Sequence, residues 1–193
     1  MRLHLVRHTV PDILPGICYG QTDVNVADTY THDVEIVLEK LARIQPAVIY
    51  SSPLIRCSQL AEAIAAPKFC EVQHDSRLME LNFGDWELKA WDDIPRGLMD
   101  VWAEDLVRQA PPSGESFHAL FMRVQGFLEE VTTNPSYIGK DVVALTHAGV
   151  IRAMLSHALN LPLADSFRFQ IDYGSVTSIS IEKAITQVLY VNR

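Results

Sequence analysis

Apolar and polar positions along the chain follow two periods, and they alternate from one segment to the next. Residues 2–6 alternate weakly and predict a strand. Between about 32 and 44, Val34, Val37, Leu38, Leu41 and Ile44 recur at helical spacing. Residues 47–50 form a short apolar run of the kind buried on both faces of a sheet, and 141–146 (DVVALT) repeats it. Ser51-Ser52-Pro53 is a helix-start signal, with Ser52 as N-cap, Pro53 at the first helical position and a helix to about residue 65. Residues 69–73 read as a further strand. The stretch 86–108 carries the chain's three tryptophans among acids and predicts short helices broken at Pro95. A loop at 111–114 precedes a long helix to about 132, capped by Ser113 or Ser116. A helix from 147 to about 159 follows, then strands at 166–171, 175–182 and 185–191.

Strands alternating with helices predict an α/β fold: a three-layer α/β/α sandwich with a mostly parallel sheet and a small helical cap. A length of 193 residues fits a single domain over 1–193, with the cap inserted at about 86–111. The chain is 48% apolar and 21% charged, ordinary for a globular protein. No apolar run approaches the roughly 20 residues that cross a bilayer. The charged start MRLHLVRH lacks the apolar core of a signal peptide, so the expected location is cytoplasmic. A formal charge of −8 excludes nucleic acid and anionic membranes as expected partners, though a few focused arginines can still hold a small phosphate. Three cysteines without a C-x-x-C pair argue against a disulfide framework and a zinc knuckle. Cys57, beside Arg56, reads as a small buried residue more than as a reactive thiol.

Three predicted strands end alike. One runs into Arg7-His8, one into Ser51-Ser52-Pro53 and Arg56, and one into Thr146-His147. The carboxyl ends of such strands line the ligand crevice of an open α/β sheet, so Arg7, His8, Arg56 and His147 are expected to converge. A lone histidine at a strand end is as a rule a satisfied core residue. Arg7 changes that reading, because an arginine in an apolar strand is rarely buried without a partner. Arg56 falls in the first turn of its helix, where positive charge opposes the macrodipole, and a bound phosphate would account for it.

These spacings resemble the histidine phosphatase superfamily, which includes the cofactor-dependent phosphoglycerate mutases, over nearly the whole chain. Leu5-Val6-Arg7-His8-Thr9 resembles its R-H-G signature, with Thr in place of the commonest Gly. Ser51-Ser52-Pro53-Leu54-Ile55-Arg56 matches its S-S-x-x-x-R element. Residues 80–87 (ELNFGDWE) are similar to its E-x-x-x-G-x-x-E segment. Pro112-Ser113-Gly114-Glu115-Ser116, followed by Arg123, resembles its G-G-E-S helix start, and Thr146-His147-Ala148-Gly149-Val150-Ile151-Arg152 its second histidine element. Five elements in this order are a specific signal, where any one is weak.

The resemblance implies a phosphomonoesterase that needs no metal or other cofactor. His8 would be the nucleophile, neutral when it attacks, and Arg7 and Arg56 would give forked hydrogen bonds to the equatorial phosphoryl oxygens. His147 would donate a further bond, Glu80 would be the general acid, and Glu87 would be structural. Gly20, Gln21 and Ala148 are implied to approach the substrate. Where many relatives carry an asparagine six residues after the nucleophile, this chain has Leu14. The loop R-H-T-x-P followed by G-x-C-Y-G resembles the branch of α-ribazole phosphatases of cobalamin assembly. Ile17, Tyr19 or Trp86 would then stack on a flat leaving group. The alternatives are a broad-specificity or mutase-like enzyme of the same superfamily, and a catalytically silent phosphate-binding protein. The complete set Arg7, His8, Arg56, Glu80 and His147 argues against silence. The expected partner is a small phosphomonoester, with a homodimer left open.

Overall fold

In the computed structural model, which describes residues 1–182 and 185–193, six strands form one sheet. The strands are β1 (Arg2–Arg7), β2 (Pro46–Ser51), β3 (Val72–His74), β4 (Asp141–Thr146), β5 (Val176–Glu182) and β6 (Ile185–Tyr190). Their order is β3-β2-β4-β1-β5-β6; the first four run parallel, and β5 and β6 are antiparallel additions. The helices are α1 (Tyr30–Lys40), α2 (Ile55–Ala65), α3 (Arg96–Glu104), α4 (Phe117–Thr133) and α5 (Ala148–Leu159).

The strand period of two explains the layers. Leu3 and Leu5 of β1, with Val142 and Ala144 of β4, face α4 and α5 through Leu120, Val124, Phe127, Ile151 and Met154. Val6, Val143 and Leu145 face the opposite way, onto Val37, Leu41, Cys57, Leu60 and Ile64 of the α1–α2 side. Neighbouring β1 and β4 therefore send their following helices to opposite faces, which opens a crevice at their carboxyl ends. The expected three-layer α/β/α architecture is what the chain forms.

Three local expectations need correcting. Helix α2 begins at Ile55, not at Pro53, and Leu54 is its N-cap. Ser52 Oγ is only 3.4 Å from Leu54 N, while Asp23 Oδ1 accepts from Ile55 N at 2.7 Å and caps the helix from a distant loop. Phe69 belongs to no strand: it ends a 3₁₀ turn over Ala66–Lys68 at φ 51° and is 97% exposed, so β3 starts only at Val72. Residues 166–171 form no strand either; Leu163–Arg168 is a 3₁₀ segment. The carbonyls of Phe169 and Ile171 accept from Arg152 Nε and Arg7 Nη1 (3.0 and 2.6 Å) instead of entering a ladder.

Between β3 and α4 the chain makes short 3₁₀ turns at Gly84–Trp86 and Trp91–Asp93, and Pro95 then caps α3. Cys18, Trp86 and Ile94 bury together here, packed by Phe83, Trp91, Met99 and Trp102.

Candidate active site

The sheet register builds the site. Arg7 pairs with Thr146 across β1 and β4, so the next residue of each strand, His8 and His147, emerges side by side. Their ring centroids are 5.0 Å apart, and both residues are buried. His8 leaves the strand because its backbone and that of Arg7 turn onto Gly174, whose N–H reaches both carbonyls (3.1 and 3.2 Å). Arg56 arrives from α2, and Glu80 from the loop after β3.

His8 Nδ1 lies 2.7 Å from the Thr9 carbonyl oxygen. A carbonyl only accepts, so Nδ1 carries the proton and Nε2 keeps its lone pair. Burial, reinforced by Arg56 and then Arg7, holds His8 well below the ordinary histidine value of 6.5. Burial therefore contributes more than the arginines in keeping the ring neutral. His147 is held well below 6.5 in the same way, by burial first and then by His8 and the arginines.

Near His8 are buried nitrogens with no partner among the described residues: Arg7 Nε and Arg56 Nε, which can only donate, and His147 Nδ1, whose role depends on its tautomer. A buried unpaired donor costs about 1–3 kcal/mol, more when charged, so such a cluster fits an anion. Arg56 is completely buried, not the solvated arginine a first-turn position usually holds. Its Nη2 and Nη1 donate to the carbonyls of Gly20 (2.6 Å) and Thr22 (3.0 Å). Arg7 lies with its guanidinium carbon 3.7 Å from the Tyr173 ring centre, a cation–π contact. The Tyr173 hydroxyl is in turn 2.6 Å from that of Tyr19.

Glu80 accepts from Leu81 N (2.9 Å) through Oε1 and from Gly149 N (3.2 Å) through Oε2. Its own carbonyl accepts from Gln21 Nε2 and Arg123 Nη2, both at 3.0 Å, and Arg123 is paired with Glu115 at 2.6 Å. Glu87 gathers N–H groups of Gln21, Thr22 and Phe83 and the Thr22 hydroxyl. Burial acts to raise Glu87, but these bonds outweigh it and hold the carboxylate below its usual value.

A cavity of about 300 Å³ opens onto these groups, lined by Arg7, His8, Glu80, Ala148, Gly149 and Arg152. Aromatic walls come from Tyr19, Phe83, Trp102, Phe117, Phe167 and Tyr173. Of the residues expected at the substrate, Arg7, His8, Glu80 and Ala148 line the cavity; Arg56 and His147 are buried and outside its lining, with the His147 ring 5.0 Å from that of His8. Gly20 and Gln21 do not line it. They brace the residues around it, and a Cβ on Gly20 would come within 2.0 Å of Leu81 O. Ile17 and Trp86 are also outside, with Trp86 in the neighbouring aromatic cluster. Tyr173 and Phe167 went unread in the sequence, since neither sits in a motif. Arg152 was legible only as the last residue of the second histidine element. Its Nη atoms have no partner among the described residues. Cys57, with its thiol pushed up by burial, matches the inert reading.

A family model described as the histidine phosphatase superfamily (branch 1) matches residues 3–193. Phosphoserine phosphatase 1 of Hydrogenobacter thermophilus is 29% identical over 196 residues, covering 100% of this chain and 92% of that one. The adenosylcobalamin/α-ribazole phosphatase of Salmonella typhimurium is 26% identical over 196 residues, covering 94% and 91%. The structure of a mycobacterial glucosyl-3-phosphoglycerate phosphatase superposes with a TM-score of 0.87 at 26% identity, over 99% of this chain and 98% of that one.

Proposed function

The chain belongs to the histidine phosphatase superfamily (branch 1), and we propose that it hydrolyses a small phosphomonoester through a phosphohistidine formed at Nε2 of His8. The carrying observation is the free Nε2 of His8 beside two buried arginines and a second histidine, each with a buried nitrogen that has no partner among the described residues. A phosphoryl group there meets Arg7, Arg56 and His147 on its equatorial oxygens. Nε2 attacks phosphorus as the ester bond breaks, and Glu80 gives the departing alkoxide its proton. The same carboxylate then takes a proton from the water that cleaves the phosphohistidine, releasing inorganic phosphate and restoring the ring.

For the leaving group, the reading we favour is α-ribazole, because the aromatic walls of the cavity suit a flat base. One relative carries that activity in its name. A second reading is favoured by one specific feature. Arg152, anchored by Nε to the Phe169 carbonyl, presents a guanidinium to the same cavity and fits a carboxylate such as that of phosphoserine. Comparing kcat/KM across α-ribazole 5′-phosphate, phosphoserine and 3-phosphoglycerate decides between them. We expect α-ribazole 5′-phosphate to lead by about tenfold or more, equivalent to about 1.4 kcal/mol. A lead for phosphoserine that Arg152→Gln abolishes would establish the second reading instead.

A further inference from the structure

His147 can meet a phosphoryl group with one ring nitrogen only, because its other nitrogen is engaged. Nε2 lies 2.9 Å from Ser52 Oγ and 3.4 Å from Cys57 Sγ, and all three residues are buried. Nδ1 is buried and unpartnered among the described residues. Ser52 reaches this place through the sheet: its N–H bonds Leu145 O at 2.9 Å, so it leaves β2 alongside the end of β4. It is not the helix cap its sequence context suggests, since Asp23 holds the first N–H of α2.

A neutral imidazole has one proton, so one nitrogen donates while the other accepts. Phosphoryl oxygens only accept. The tautomer protonated at Nδ1 therefore bonds the phosphoryl group, whereas the other turns a lone pair toward its negative charge. Holding the proton on Nδ1 requires a donor at Nε2. Ser52 can be that donor, because its hydroxyl proton is free to rotate onto Nε2 while its oxygen faces Leu54 N at 3.4 Å. Cys57 is the weaker candidate, because its thiol also faces the Thr146 carbonyl at 3.5 Å. We infer that Ser52 is a positioning residue that donates its hydroxyl to Nε2 of His147 and so fixes the proton on Nδ1, facing the transferring phosphoryl group. This inference rests on the proposed phosphohistidine reading, because a hydroxyl can donate or accept and the phosphoryl group decides which; the spectrum reads the tautomer without turnover.

The test is the imidazole nitrogen spectrum of the resting, histidine-labelled protein, with His147 assigned by its loss in His147→Gln. The expected spectrum has His147 protonated at Nδ1 and bare at Nε2. Ser52→Ala should move that proton wholly or partly to Nε2 and lower kcat/KM by about tenfold or more. That is less than the 10²–10³ typical of deleting an oxyanion donor, because the imidazole stays in place. Ser52→Thr, which keeps the hydroxyl, should restore both tautomer and rate. A wild-type His147 protonated at Nε2 would overturn the inference, as would Ser52→Ala with tautomer and rate unchanged. If Ser52→Ala does not fold, the wild-type and Ser52→Thr spectra still decide. Because no turnover is involved in the spectrum, failure of His8 as nucleophile would be seen separately, by labelling.

Discussion

Gly149 sets where the Glu80 carboxylate stands, so Gly149→Ala tests its proposed role as general acid. A Cβ built there falls 2.3 Å from Glu80 Oε1 and 3.3 Å from its Cδ. Ordinary contact begins at 3.4 Å, so the carboxylate must retreat by about 1.1 Å. Its bond from Gly149 N, 3.2 Å long, stretches or breaks with it. The obstacle is the far end of a flexible side chain, so the fold should absorb it. Alanine is also the better helix former, by up to about 1 kcal/mol. A misplacement near 1 Å costs about 10²-fold when it affects a proton donor's alignment, or about 2.7 kcal/mol of barrier. The expected result is a variant at least as heat-stable as the parent whose kcat/KM on alkyl phosphates falls about 10²-fold. Nitrophenyl phosphate leaves without needing a proton and should lose less than about tenfold in the same parameter. Unchanged rates on alkyl phosphates, or equal losses on both esters, would refute the placement of Glu80 as general acid.

Two other outcomes follow from the same site. His8 and His147 are depressed by burial, so below pH 6.5 the unfolded chain binds protons that the native protein refuses. Stability contributed by the neutral rings is therefore present above pH 6.5 and lost as pH falls toward their folded values. Between pH 7.5 and 5.5 the two together remove at most about 2.7 kcal/mol. Denaturant unfolding at the two pH values measures this, and a pH slope unchanged in His8→Gln would contradict it. Activity should survive exhaustive chelation and be inhibited by vanadate, since Arg7 and Arg56 supply the positive charge. Activity lost on chelation and restored by an added divalent ion would count against this.

The strand ends that meet at His8 and His147 were legible because the sheet period and the parallel order force neighbouring carboxyl ends together. Arg56 was legible as a charge in the wrong turn of a helix, although its partners, the carbonyls of Gly20 and Thr22, were not. Residues 166–171 misled because Phe167, Phe169 and Ile171 have strand alternation. The carbonyls of Phe169 and Ile171 are drawn to Arg152 and Arg7, contacts made across more than a dozen positions that no local pattern encodes. Tyr173 escaped for the same reason: its stacking on Arg7 depends on how the loop before β5 returns over β1. Gln21 was near the site as expected, but turned toward the Glu80 carbonyl.

The most direct measurement is to trap the enzyme with radiolabelled phosphomonoester during turnover and to characterise the label. A phosphohistidine at His8 predicts a phosphoenzyme that is labile in acid and stable in alkali, and His8→Ala should lack both the label and nearly all turnover. Wild-type labelling retained in His8→Ala, or a label stable in acid, would contradict the account.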